Sequence, residues 1–184
     1  DSIIAQTYDD WIALVINDGS TDGTNDIMMQ YKNRYPSKIK VVCQKNIGQA
    51  ETRNHAVKMA AGKYVMFVDA DDYLDPNYVG TYVKEAEKGD YDCVMGGFRR
   101  EDNKGNIVKK FVPSSRWLMY SHMVPWARIF KRQFLLDNDI EFLNISIGED
   151  SYFNFKVLCA TDNIKCIDNM GYVWYVNKIG RAHV

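Results

Sequence analysis

Long apolar runs are missing from this sequence. No stretch approaches the ~18 consecutive apolar residues that a membrane-crossing helix requires, so no part of it reads as a transmembrane segment. The opening Asp1-Ser2-Ile3-Ile4-Ala5-Gln6-Thr7 lacks a basic start and a long apolar core, and does not read as a secretory signal. Cysteine is scarce. The 4 cysteines, Cys43, Cys93, Cys159 and Cys166, form no Cys-x-x-Cys pair and have apolar neighbours. They read as reduced core thiols of a cytoplasmic protein. Histidine is scarcer still, at 3 residues. Neither His55 nor His122 has a metal-ligating partner at a useful spacing, and both read as structural. An excess of charge of either sign is also lacking. The chain has 23 Lys and Arg against 24 Asp and Glu, for a net charge of -1. That balance excludes a bulk nucleic-acid footprint. Repeats, low-complexity tracts and linkers are absent, so one domain is the simplest account of 184 residues.

What is present is an alternation of strand and helix signals. Apolar residues make up 46% of the chain and aromatics 13%, enough for a sizeable core and against an acidic disordered chain. Residues 11–16 form a continuous apolar run stopped by Asn17-Asp18-Gly19, which predicts a buried strand. Residues 24–35 predict a helix, with Thr24 as N-cap and Pro36 as the stop. A strand at 39–43 follows, then a helix at 49–61 closed by Gly62. Residues 64–68 form a third apolar strand ending in Asp69, residues 76–88 a helix closed by Gly89, and residues 91–95 a fourth strand. Residues 99–110 read as a hairpin or loop excursion, 134–138 and 150–160 as helices, and 164–167 and 172–176 as late strands. The alternation predicts an α/β domain with a mainly parallel central sheet flanked by helices.

In an open α/β sheet, ligands bind outside the carboxyl ends of the strands. Two strands here end in carboxylates, Asp18 after the first and Asp69-Ala70-Asp71-Asp72 after the third, which predicts that both clusters share one sheet edge. Three carboxylates within four residues repel one another, and a bound divalent cation would remove the conflict. Carboxylate and phosphate oxygens suit Mg²⁺ or Mn²⁺. The alternative is that Asp71 and Asp72 cap the next turn. In the second helix, Ala50, Val57 and Ala61 mark an inward stripe, with Asn54 on it and Arg53 beside it. Either Arg53 reaches the acidic cluster or a bound nucleotide, or it is a surface residue beside a satisfied core Asn54.

These motifs in order resemble the family 2 glycosyltransferases. The resemblance rests on Asp18-Gly19-Ser20-Thr21-Asp22-Gly23-Thr24, Asn46-x-Gly48 with Arg53-Asn54, Gly62-Lys63-Tyr64, and Phe67-Val68-Asp69-Ala70-Asp71-Asp72. Trp126-Ala127-Arg128-Ile129-Phe130-Lys131-Arg132 and Gly148-Glu149-Asp150 resemble the family's acceptor-side segments, and the likeness runs over residues 2–178. It implies a GT-A nucleotide-diphospho-sugar transferase fold and inverting transfer from a nucleotide-sugar donor of UDP type. It also implies Mn²⁺ or Mg²⁺ as cofactor, and a saccharide or lipid-linked acceptor in surface polysaccharide synthesis of the cell envelope. Cytoplasmic placement with peripheral association at the inner membrane face goes with that reading.

By position, Asp18 resembles the residue that binds the uracil ring, and Arg53 a basic residue near base and diphosphate. Asp69 and Asp71 resemble the Asp-x-Asp pair, with Asp71 as direct metal ligand and Asp72 as neighbour of ribose or metal. Asp150 resembles the general base, with Glu149 as the adjacent rival, and Trp126 is the expected acceptor contact. Two departures stand out. Asn17 replaces the family's usual first Asp, and the family's first strand and most of its first helix have no counterpart before Tyr8. The expected domain is therefore 1–178, incomplete at its N-terminus, with 179–184 a non-native tail whose His183 takes no catalytic role. Rival readings are a nucleotidyltransferase of related fold, a degenerate nucleotide-sugar-binding module, and a phosphotransferase with Asp69 as nucleophile, which Asp72 opposes.

Overall fold

A computed structural model describes residues 1–176. The expected tail at 179–184 and the last two positions of the expected domain lie outside the described residues. Strand β1 (Ala13–Asp18) pairs in parallel with β2 (Ile39–Gln44), in register from Ala13 opposite Ile39 to Asp18 opposite Gln44. Helix α1 (Thr24–Arg34) makes the crossover. Its Asp26 lies in the first turn and Lys32 and Arg34 in the last, the placement that complements the helix dipole. Thr24 is the first helical residue rather than the cap: the N-cap is Gly23, and the Asp22 carboxylate accepts the Thr24 N–H at 3.0 Å.

Helix α2 (Gln49–Met59) buries Ala50, Arg53, Asn54 and Val57, a three-and-four spacing that turns one face inward. It starts after Gly48, whose φ of 88° is readily adopted only without a side chain. Strand β3 (Tyr64–Val65) is shorter than the apolar run predicts. Beyond it the chain stays extended without sheet pairing: Phe67 packs on one core cluster, Met66 and Val68 on the other. After β4 (Tyr73–Leu74), helix α3 (Tyr78–Lys88) buries Tyr78, Tyr82, Val83 and Ala86. Gln6 locks the N-terminal segment onto this helix. Its amide donates to the Asp75 carbonyl at 2.8 Å, and its side-chain oxygen accepts the Val79 N–H at 2.9 Å.

The remaining elements are β5 (Cys93–Met95), β6 (Phe98–Glu101), β7 (Ile107–Phe111), a 3₁₀ turn (Arg116–Met119), β8 (Arg128–Lys131), α4 (Arg132–Asp137), α5 (Glu149–Ala160), β9 (Ile164–Cys166) and β10 (Tyr172–Tyr175). Among the described residues the strands form three hydrogen-bonded sheets: β1-β2, β3-β8-β5-β9 and β4-β10-β6-β7. The expected α/β architecture is present, but the sheets are mixed rather than mainly parallel. β8 runs antiparallel between β3 and β5, and β6–β7 is an antiparallel hairpin; β1–β2, β5–β9 and β6–β10 are the parallel pairs. β8 escapes prediction because Arg128 interrupts its apolar pattern. That arginine is nevertheless buried, its guanidinium donating to the carbonyls of His122 and Trp126. The cysteines also depart from expectation: Cys93 is buried, Cys166 half-buried, and Cys43 and Cys159 are exposed.

Candidate active site

The site is assembled around Arg53. This residue is 9% exposed, on the inward stripe of α2. Its Nη2 donates to Asp69 Oδ1 at 2.9 Å and its Nη1 to Asp150 Oδ1 at 2.6 Å. The guanidinium lies over the Phe142 ring, 5.2 Å from the centroid. Asn54, next on the helix, fixes that ring by a two-point clamp. Its amide donates to the Phe142 carbonyl at 2.9 Å, and its oxygen accepts the Phe142 N–H at 2.7 Å. Of the two readings of this dipeptide, the structure therefore takes one half of each: Arg53 reaches the acidic cluster, and Asn54 is a satisfied core residue.

Asp150 enters from the first turn of α5, behind Gly148 in a left-handed conformation. Burial raises the proton affinity of its carboxyl; Arg53 opposes this, and the charges of Glu149 and Asp69 add to it. Asp69 is likewise raised by burial, with Arg53 opposing and Asp71 reinforcing the shift; the Trp126 indole has a smaller lowering effect. Asp72 is pushed up to about 6, chiefly by burial, against the lowering effect of hydrogen bonds from Tyr172 and Tyr175. The Tyr172 hydroxyl donates to Asp72 Oδ2 at 2.6 Å, and the Tyr175 N–H donates to Oδ1 at 3.0 Å.

The repulsion within the acidic turn is thus met by the protein itself. Asp69 is paired with Arg53, and Asp72 is hydrogen-bonded through both oxygens. Asp71 is exposed, and among the described residues no hydrogen bond or ion pair engages its carboxylate. No preformed group of three ligating side chains occurs among the described residues. The donor set still fits a magnesium-type ion, which takes one or two carboxylates and completes its shell with water and phosphate oxygens.

Asp18 sits at the end of β1, as predicted. Its Oδ1 accepts from Gln44 Nε2 at 2.8 Å and the Ile47 N–H at 3.0 Å; its Oδ2 accepts the Gly48 N–H at 2.9 Å. Burial would raise its pKa, but these hydrogen bonds outweigh burial and hold it below the usual value. In this structure Asp18 fixes the loop that leads into α2. The predicted common sheet edge is replaced by this helix, whose start is held by Asp18 and whose Arg53 reaches Asp69.

Trp126 does not face solvent as an acceptor contact should. It is 5% exposed, with its ring stacked on Tyr172 at 4.5 Å and 7° and meeting the Phe98 ring at 5.0 Å. Its faces are occupied by the core. Exposed aromatics include Trp117 and Tyr120, stacked at 6.1 Å and 7°, with Phe155 beside Tyr120 at 6.4 Å. Glu149 is half-buried beside Asp150. Sequence reasoning missed Tyr172. Nothing local distinguishes it among 12 tyrosines, since its role depends on where β10 falls beside the acidic turn.

This α/β fold, which carries the paired arginine, the acidic turn and the second carboxylate, is similar to the fold of solved glycosyltransferases. TarS 1–349 of Staphylococcus aureus in complex with UDP matches with a TM-score of 0.79 and 25% identity, over 96% of this chain and 55% of that one. The same protein in complex with UDP-GlcNAc matches with a TM-score of 0.80. Residues 1–156 match glycosyl transferase family 2, and the chain belongs to that family. The glycosyltransferase YibD of Escherichia coli is 30% identical over all of this chain and 58% of its own length. The glycosyltransferase EpsJ of Bacillus subtilis is 28% identical over 96% of this chain and 56% of its own length. The chain therefore spans little more than half the length of these relatives.

Proposed function

We propose that the chain transfers a sugar with inversion from a nucleoside-diphosphate sugar of UDP type to a hydroxyl of a saccharide or lipid-linked acceptor. The observation that carries this reading is the Arg53 bridge, which draws the acidic turn at Asp69 and the carboxylate of Asp150 onto one guanidinium. Asp150 is the general base. Burial raises its proton affinity, toward the range in which a carboxylate takes a proton effectively near neutral pH. It accepts the acceptor hydroxyl proton while the oxygen bonds to the anomeric carbon. The bond from that carbon to the diphosphate breaks, and the electron pair leaves with UDP. Glu149 is the neighbouring alternative for this role. Arg53 holds Asp69 and Asp150 apart as charges and orients both.

Mn²⁺ or Mg²⁺ would be held by Asp71, with Asp69 and Asp72 beside it. Such an ion supplies charge neutralisation to a departing diphosphate. The UDP and UDP-GlcNAc complexes of TarS support a uridine donor. A poly(ribitol-phosphate) β-glucosyltransferase of Bacillus spizizenii, 27% identical over 98% of this chain, supports a hydroxyl-rich polymeric acceptor of the surface-polysaccharide kind. With such an acceptor, the protein works in the cytoplasm against the inner membrane face.

Calorimetric titration with UDP, in Mn²⁺ and in EDTA, followed by assay of UDP release from UDP-sugars, tests the proposal. Metal-dependent binding and turnover support it. Equal affinity in EDTA removes the metal, absence of UDP binding removes the donor, and binding without turnover reduces the chain to a binding module.

A further inference from the structure

The geometry points to Tyr172 as the positioning residue of the acidic turn, a role that rests on the donor site proposed above. One hydroxyl spans both ends of the turn: Tyr172 Oη accepts the Asp69 N–H at 3.2 Å and donates to Asp72 Oδ2 at 2.6 Å. The turn is closed internally by the Asp72 N–H, which donates to the Asp69 carbonyl at 3.1 Å. Its far side is tied to the same strand as Tyr172. The Tyr175 N–H donates to Asp72 Oδ1, and β10 pairs antiparallel with β4, setting Tyr172 opposite Leu74 and Val173 opposite Tyr73. The Tyr172 ring is fully buried, lying face to face with Trp126 at 4.5 Å and edge-on to Tyr78 at 6.2 Å. The hydroxyl is therefore held in place before any ligand arrives, the condition under which a supporting group fixes the geometry of a binding residue.

The consequence falls on Asp71. Its neighbours Asp69 and Asp72 are both held from the protein side, leaving the Asp71 carboxylate exposed. Tyr172 is a positioning residue: it touches neither donor nor metal, and acts by holding the backbone of Asp69 and the carboxylate of Asp72. Trp126, expected at the acceptor surface, serves the same device as the plate against which the Tyr172 ring is stacked.

The test is Tyr172→Phe, which keeps the stacked ring and removes only the hydroxyl. Tyr82→Phe is the control, another fully buried tyrosine, whose hydroxyl donates to the Ala127 carbonyl at 3.2 Å and is paired with the Tyr78 hydroxyl rather than with the acidic turn. Two readouts apply. The first is amide hydrogen exchange at Asp69 in the metal-free protein. Tyr172→Phe is expected to speed exchange by about tenfold or more relative to wild type, and Tyr82→Phe to leave it unchanged. The second is UDP affinity in Mn²⁺ by calorimetry. Tyr172→Phe is expected to weaken binding by about tenfold, and Tyr82→Phe by less than about twofold. Unchanged Asp69 exchange in Tyr172→Phe overturns the positioning role whatever UDP does. Equal losses of UDP affinity in both variants overturn it too, by reducing Tyr172 to a core residue. A wild type that binds no UDP, together with accelerated Asp69 exchange in Tyr172→Phe, keeps the positioning role and rejects the donor reading instead.

Discussion

Arg53 and Asp150, 97 residues apart in sequence, meet in a 2.6 Å ion pair, and the same guanidinium reaches Asp69 at 2.9 Å. The arrangement is electrostatically necessary. Two partly buried carboxylates drawn this close destabilise each other unless a cation lies between them. The helix stripe that buries Arg53 is therefore also what joins the two halves of the site.

Arg53→Ala should be severely destabilising. It leaves Asp69 and Asp150 uncompensated, and breaking a buried pair from one side costs on the order of 3 kcal/mol. The deficit should shrink as pH falls. Both carboxyls already have raised folded values, and removing the cation raises them further, so protonation relieves the variant first. Urea denaturation at pH 7.5 and pH 4.5 measures this. A deficit below about 1 kcal/mol at pH 7.5, in the range of an exposed pair, would show that the bridge contributes little.

Asp72 carries its own pH signature. Its folded-state carboxyl is pushed up to about 6, above the ordinary range, chiefly by burial. The folded chain thus favours the protonated form. That contribution to stability is fully present below the unfolded carboxyl value of about 4, and is lost as pH rises through about 6. Asp72→Asn removes the loss. In EDTA, its stability relative to wild type should improve steadily from pH 4 to pH 7. A relative stability that is flat with pH, or that worsens, would contradict the burial of this carboxyl.

Asn54 supports a prediction about stability alone. Asn54→Ala strands the buried N–H and C=O of Phe142, whose two bonds to Asn54 measure 2.7 and 2.9 Å. Stranded buried groups cost roughly 1–3 kcal/mol each, so a loss of about 2–4 kcal/mol is expected. Phe142 stacks on Phe153 at 4.1 Å and 5°. The variant should therefore also loosen the start of α5, seen as faster amide exchange at residues 152–154. A midpoint equal to wild type would mean that water replaces the clamp.

Legibility in the sequence followed locality. The stripe of α2 was readable because helical spacing is local, and its polar members Arg53 and Asn54 signalled a buried partner without naming it. The acidic turn was readable from the apolar run before Asp69. β4, at two residues, is too short for any period to show. β8 was hidden by the buried Arg128 at its start. Tyr172 and the Arg53–Asp150 pair depend on which distant segments meet, and no spacing encodes that. Trp126 was misplaced for a related reason. An aromatic beside a polar motif suits a sugar surface and a core equally, and only the stacking partner, Tyr172, decides between them.

The choice of base separates Asp150 from Glu149. Both lie in the first turn of α5, where the helix dipole favours carboxylates. Only Asp150 is held by Arg53, at 2.6 Å, so only its carboxylate has a fixed direction. Its proton affinity is also raised by burial, with Arg53 opposing the shift. Removing a general base typically lowers the rate by ~10²–10⁴-fold. Asp150→Asn is expected to cut sugar transfer by that order. UDP affinity in Mn²⁺ should stay near wild type, because the proposed metal and donor contacts lie at Asp71 and its neighbours. Glu149→Gln should cost far less. Single-turnover transfer and UDP calorimetry on both variants measure the split. A loss confined to Glu149→Gln would exchange the two roles. A loss of UDP affinity matching the loss of rate in Asp150→Asn would make Asp150 a donor-binding residue, held by Arg53 for that purpose rather than for proton transfer.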